Sequence, residues 1–182
     1  MREFSPFLPF FSFTVHQTPL IENNWPLLIP PILALVDDSS IFYKVKGCKI
    51  LSQFLQNVPE TFLQRTGIGE VFHDALMSCL LYLPSLAEER ESLMLLRYAY
   101  PAVFALTRAR CPSSQDNEDR LKILDSILRR GIMKGFAYGG EKPQMALLLF
   151  EQLRIMVSDM GLAICKHLTV SIENSAVLPS WN

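Results

Sequence analysis

Apolar residues recur at helical spacing from Trp25 onward, and no segment alternates polar and apolar residues strictly enough to predict a β-strand. In the second helical segment, for example, Ile41, Val45 and Cys48 lie on one face. We therefore predict an all-α fold. Helices are expected at 26–36, 41–55, 60–65, 70–82, 85–109, 121–132 and 144–158, with an extension of the last one towards residue 168.

The predicted helices pair into hairpins of roughly forty residues, a period within the range of helical solenoid repeats. About three such pairs fit, which predicts a helical hairpin array, a fragment of an α-solenoid. We assign residues 25–174 to this domain, 1–24 to an extension expected to be disordered or mis-spliced, and 175–182 to a tail. Neither end has the polar outer face of a capping repeat, so we expect a truncated form of a longer protein.

The polar residues between the first two helices are interpreted as structural. Asp37 and Asp38 are expected to cap the second helix, because carboxylates are favourable at a helix N-terminus. Lys44 is expected on the solvated side of that helix, where an ion pair with Asp38 would contribute about 1 kcal/mol or less. Pro31 is expected to kink the first helix or reset its start, and Gly67 to end the third helix in the left-handed conformation.

Three further signals concern the later helices. Ser85 and Glu88 have the spacing of a capping box, which predicts that the long fifth helix begins there. Pro101 lies inside that helix and predicts a kink. The last helix is apolar almost all round and is therefore expected to be covered on several sides.

Composition favours a protein that binds other proteins. Hydrophobic residues make up 49% and charged residues 19%, and part of this apolar surplus is expected to face a partner. The net charge of −1 disfavours nucleic acid and anionic membranes as partners, and no later apolar run approaches the ~20 residues that span a bilayer. The cysteines have no paired spacing and indicate reduced thiols in the cytoplasm or nucleus; they are Cys48, Cys79, Cys111 and Cys165.

Candidate chemistry is sparse. Glu70 and His73 form a Glu-x-x-His pair with Asp74 beside them, which is how di-iron sites in helical bundles begin, but no second pair occurs. Cys165 and His167 offer half of a zinc site at most. We therefore expect no catalytic, metal or cofactor site, and interpret Glu70, His73 and Asp74 as a polar helix face. A small helical enzyme that uses Glu70 and His73 is the alternative from another class.

The stretch "PILALVDDSSIFYKVKGCKILSQFL", residues 31–55, resembles a HEAT repeat. Pro31 matches the proline of the first repeat helix, Asp38 the aspartate of the turn, and Lys44 the early basic residue of the second helix. This resemblance implies a HEAT-like array. It leaves open a generic HEAT-repeat adaptor of some other complex.

A more specific series is "LVDDSSIFYKVKGCKILSQFL", then "RTGIGEVFHDALMSCLLYLP", then "MGLAICKHL" at residues 160–168. The series resembles the second Tel-two-interacting protein family, subunits of the TTT co-chaperone complex, over residues 25–168. The resemblance implies a scaffold that binds Tel-two and Tti-one type subunits and acts with the Hsp chaperone machinery. It also implies a role in the maturation of phosphatidylinositol-kinase-related kinases, and hence in DNA-damage and nutrient signalling.

Overall fold

The computed structural model describes residues 18–111 and 117–161, and over these residues the chain forms helices and turns without a strand. The predicted all-α fold is confirmed. Residues 112–116, between the fifth and sixth helices, and the predicted extension of the last helix from residue 162 towards residue 168 lie outside the described residues. The helices are α1 Thr18–Val36, α2 Ile41–Asn57, α3 Glu60–Thr66, α4 Ile68–Leu80, α5 Glu89–Arg110, α6 Asn117–Ile127, a π-helical turn Leu128–Met133, α7 Lys134–Gly139 and α8 Pro143–Met160.

Helix α1 is longer than the apolar pattern predicts, and it crosses the boundary that we placed between residues 24 and 25. Pro26, Pro30 and Pro31 all lie inside it, so Pro31 does not reset its start. The three prolines are exposed. Because a carbonyl four residues before a proline loses its amide partner, placing all three on the solvent side leaves the freed carbonyls near water. The helix therefore continues through them.

The capping-box prediction for α5 is wrong. The helix begins at Glu89 with Glu88 as N-cap, and the Glu88 side chain makes no capping hydrogen bond. Ser85 instead lies in a turn in which the amides of Leu86 and Ala87 both donate to the carbonyl of Leu83. Leu83 is buried, so packing holds this acceptor in place and the chain turns before it becomes helical. Pro101 lies inside α5, which remains one helix to Arg110.

The helices form three successive pairs in two layers. The first layer contains α1, α4 and the continuous segment from α6 through the π-helical turn to α7; the second contains α2, α5 and α8. Within the second layer α2 packs along α5, and α5 packs against α8. In the first layer α1 contacts α4, and α4 contacts the π-helical turn. This is the arrangement of a helical hairpin array, as the sequence predicts.

An aromatic cluster joins the first pair of helices to the short helix α3 and to α4. Phe62 makes edge contacts with Trp25 and Phe54, with ring centroids 5.6 and 6.1 Å apart, and Phe54 makes another with Phe72 at 6.1 Å. Phe54, Phe62 and Phe72 are buried. Each fully buried ring contributes about 1.5–3 kcal/mol to stability, so this cluster fixes the first two helix pairs against each other.

Within the described residues, no helix is both long enough and apolar enough to cross a membrane.

Candidate functional site

The turn between α1 and α2 is built around the last carbonyl of α1. The Lys44 ammonium, on the first turn of α2, donates to the carbonyl oxygen of Val36 at 3.0 Å. A cation at a helix C-terminus is favourable because unpaired carbonyls carry the negative end of the helix dipole. Lys44 is therefore half-buried and bonded to α1, rather than solvated or paired with Asp38 as we expected.

The two aspartates have different surroundings in this turn. An Asp38 carboxylate oxygen accepts the backbone amide of Ser40 at 2.7 Å, which orders the turn before α2. Ser40 is the N-cap residue of α2, but its side chain makes no capping hydrogen bond. Asp37 is exposed, and its backbone amide donates to the carbonyl of Leu33, which closes the last turn of α1. Both aspartates thus lie in a structural turn.

The carbonyl of Val36 also accepts a hydrogen bond from one of two buried thiols. The Cys79 thiol, on α4, donates to the Val36 oxygen at a sulfur–oxygen distance of 3.7 Å. Its hydrogen bond with the Cys48 thiol of α2 is the main cause that raises the pKa of Cys48, and burial adds to it. The same bond lowers the pKa of Cys79. The end of α1 is therefore tied to both α2 and α4 by polar contacts inside the core.

Gly67 lies between α3 and α4 with a φ of 67°, in the left-handed region, and its amide donates to the carbonyl of Leu63. Glycine is favoured there because a side chain would be strained. This residue ends α3 and turns the chain directly into α4. Its role is to set the direction of α4.

Glu70, His73 and Asp74 lie on α4 in the first layer, and they do not share a pocket. The side chains of Glu70 and Asp74 are 82% and 84% exposed, whereas that of His73 is 15% exposed. His73 Nδ1 lies 3.5 Å from an Asp74 carboxylate oxygen, and Glu70 lies 3.8 Å from the guanidinium of Arg110. An open depression of about 460 Å³ is lined by Glu70 and Asp74 but not by His73.

These positions do not assemble a metal or catalytic centre. Over residues 18–111 and 117–161, no three His, Cys, Asp or Glu residues come close enough together to hold a metal ion. A general acid or base needs reach to a bound substrate in an enclosed site. Two solvated carboxylates on an outer helix face do not provide it. The geometry disfavours the helical-enzyme alternative.

An exposed apolar surface lies on α8. Leu147, Phe150 and Val157 are 70%, 59% and 43% exposed. Their spacing places them on one side of the helix, and Phe150 is supported by an edge contact with Phe136 of α7, with ring centroids 4.9 Å apart. We call Leu147, Phe150 and Val157 the α8 ridge. Sequence reasoning had predicted that α8 is covered on several sides, and the ridge corrects this.

The signal for the ridge was present in the sequence. A helix that is apolar all round must bury all its faces against something, but the sequence does not say whether this is the same chain or another. The opposite face of α8 is buried within the array, including Met145, Leu149 and Met156. The remaining apolar face stays exposed, as is typical of a protein-interaction surface.

The two-layer array of helix pairs with its exposed apolar ridge defines a helical-repeat protein. Comparison with known proteins gives the particular family. The chain belongs to the Tti2 family, whose family model matches residues 7–175. The match starts well inside the segment 1–24 that our sequence reading left unassigned. No solved structure matches the chain.

Membership of the Tti2 family supports a role as a subunit of the TTT complex, in which the chain interacts with other proteins. The family is of the scaffold type, which is compatible with a protein that is not an enzyme.

Proposed function

We propose that this protein is a non-catalytic scaffold subunit of the TTT complex that acts with the Hsp chaperone machinery in the maturation and stability of phosphatidylinositol-kinase-related kinases. Its direct partners are subunits of the Tel-two and Tti-one type. In this role the protein would act in the cytoplasm and nucleus, where the buried thiols Cys48 and Cys79 would stay reduced. Family membership supports the assignment.

The observation that carries the partner-binding part of the proposal is the α8 ridge. Burial of an exposed Leu or Phe side chain contributes about 1.5–3 kcal/mol, and hot spots of protein interfaces are large side chains on a well-packed support. Phe150 meets this description, because its ring rests on Phe136. Leu147 lies one turn away and extends the same surface. A helical partner that packs along α8 would bury both.

The polar surroundings of the ridge suit a protein interface. Glu151 and Arg154 are exposed on the same helix. Interfaces typically combine an apolar centre with such a polar rim, which sets orientation more than affinity. An open cleft of about 670 Å³ between α5 and α8 begins at Leu147 and is lined further by Arg97, Pro101 and Gln152. A partner side chain that enters this cleft would align the partner with both helices.

The test is affinity purification of tagged protein from cell extract with mass spectrometry. The variant Leu147→Glu is compared with Leu86→Glu, a matched control whose side chain is 73% exposed in the turn before α5. We expect the wild type and the control to recover Tel-two and Tti-one type subunits and the ridge variant to lose them. A form extended to any longer transcript serves as the reference for full assembly.

Three outcomes separate the alternatives. Recovery of those subunits by the wild type and loss with Leu147→Glu alone would support both the assignment and the ridge. Recovery by all variants would retain the assignment and exclude the ridge as the interface. Recovery of other partners by both this chain and the longer form would favour a generic HEAT-repeat adaptor instead.

A further inference from the structure

A second exposed surface lies on α2 and α5, one helix pair away from the α8 ridge. Phe42 and Tyr43 are 56% and 40% exposed on α2, and their rings contact each other with centroids 5.5 Å apart. Tyr98 of α5 is also partly exposed beside α2. The sequence did not predict this surface, because the pattern of α2 places its apolar face inside without showing which aromatic residues remain outside.

Two lysines lie directly on these rings. The Lys46 ammonium is 4.1 Å from the centroid of the Phe42 ring, and the Lys49 ammonium is 4.2 Å from that of Tyr98. Since residues four and three apart lie on one helix face, Phe42, Lys46 and Lys49 form a continuous stripe along α2. Cation–π contact holds each ammonium in a preferred place over its ring.

The charged residues of α2 are all basic. Its 17 residues include three lysines and no acidic residue. Lys44 is bonded to the end of α1, Lys46 is half-buried against the Phe42 ring, and Lys49 is exposed. The chain as a whole has a net charge of −1, so this local excess of positive charge is not a general property of the surface.

We propose that this surface is a docking site for an acidic protein segment that carries an aromatic or aliphatic anchor. We call it the basic-aromatic face; its members are Phe42, Tyr43, Lys46 and Lys49 of α2 and Met94 and Tyr98 of α5. Carboxylates of the segment pair with the two ammonium groups, and its apolar side chain packs on the rings. Pre-placed lysines reduce the conformational entropy lost on binding.

A short acidic segment fits this face better than a nucleic acid. Aromatic rings interleaved with lysines also suit single-stranded nucleic acid, but a polyanion needs positive charge along its whole path. Beyond Met94 and Tyr98 the surface enters an open cleft of about 760 Å³ that is also lined by Glu88, Glu89, Arg90 and Arg97. The two carboxylates offset the two guanidinium groups, so the positive path that a phosphate chain needs does not continue beyond this face, whereas a short segment ends before it reaches the cleft.

The biological meaning of this docking site rests on the proposed scaffold function, because the site would let the scaffold bind an acidic segment of a partner protein. Its test is independent of that function. Binding is measured by fluorescence anisotropy on the full chain, with a labelled Glu-rich peptide that contains one Phe and one Leu. A labelled thymidine oligonucleotide and a scrambled-charge peptide with equal numbers of Lys and Glu are the comparison probes.

The main variant is Lys46→Glu with Lys49→Glu. Its matched control is Lys122→Glu with Lys134→Glu, which changes the net charge equally at exposed lysines of the first layer. We expect the first variant to weaken binding of the acidic peptide by about tenfold or more and the control by about twofold or less, because local charge pairs outweigh screened distant charges. Lys46→Arg with Lys49→Arg should bind like the wild type.

A second variant tests the apolar part and covers the case in which charge reversal disturbs folding. Phe42→Ser removes a ring that is more than half exposed, so the helical circular dichroism signal should be retained while peptide affinity falls severalfold. No binding of the acidic peptide, an equal loss in both charge-reversed variants, or preferred binding of the oligonucleotide would overturn the proposal. Failure of the affinity purification with intact peptide binding would instead reject the TTT assignment alone.

Discussion

Gly47 lies where α2 passes close to the end of α1, and its substitution by alanine tests the geometry of this hairpin. A Cβ atom added at Gly47 would lie 2.6 Å from the Val36 nitrogen and 2.8 Å from the Leu35 carbonyl carbon. Both atoms belong to the backbone, which is held by the Lys44 hydrogen bond on the same turn. The helices must therefore move apart to admit one methyl group.

Two opposing effects set the magnitude. Alanine is favoured over glycine inside a helix by about 0.8–1 kcal/mol. Overpacking in a well-packed region costs about 1–3 kcal/mol and more where backbone must shift. Movement of α2 also weakens the buried contacts of Cys48 and Leu51 on the same face. We expect the packing effect to dominate, so Gly47→Ala should lower the free energy of unfolding by about 2 kcal/mol.

The measurement is urea unfolding of the chain followed by circular dichroism. Gly69→Ala is the matched control, because it also lies in a helix but its added Cβ would meet the flexible side chain of Arg110 at 3.1 Å. We expect Gly69→Ala to change stability by less than about 0.5 kcal/mol, because displacement of the Arg110 side chain offsets most of the gain in helix propensity. If Gly47→Ala is as stable as the wild type or more so, helix propensity decides the outcome and the inferred close approach of α1 and α2 is refuted.

Three other substitutions test separate parts of the structure by thermal or urea unfolding. Lys44→Met removes the charged hydrogen bond to the Val36 carbonyl and should cost about 1–2 kcal/mol; no loss would mean that water replaces the lysine at no cost. The Tyr100 hydroxyl is buried without a hydrogen-bond partner among the described residues, and burial raises its pKa; Tyr100→Phe should leave stability unchanged or raise it by about 1 kcal/mol, whereas a clear loss would reveal a bound water. Glu70→Ala with Asp74→Ala should change stability by less than about 0.5 kcal/mol, and a larger change would show that these exposed carboxylates have a role in packing.

The fold could be predicted largely from apolar periodicity, since that pattern determines which helix faces are buried. Val45, Cys48 and Leu51 are buried as their spacing predicts. Helix ends were less predictable. Ser85 and Glu88 satisfy the capping-box pattern, but burial of Leu83 decides where α5 starts. A local pattern of polar residues cannot include a tertiary contact of this kind.

The surfaces could be predicted less well than the core. The solvated position expected for Lys44 was wrong because the receiving carbonyl belongs to another helix, whose end is placed by packing. Similarly, Leu147 and Met145 are both apolar residues of α8, yet one is exposed and the other buried. Their difference depends on which side of α8 the helices α5 and α7 pack against, and this cannot be determined from a single sequence.

The position of α5 has a consequence for how the protein unfolds. This helix packs against α2 and α4 on one side and against α6 and α8 on the other, and residues along most of its length are buried, Leu95, Leu96, Ala99 and Val103 among them. Separation of α5 therefore removes contacts of the first and of the last helix pair at the same time, whereas α1 or α8 can fray while the rest persists. Amide protons of α5 should accordingly exchange last, and their exchange should report the cooperative unfolding of the whole array.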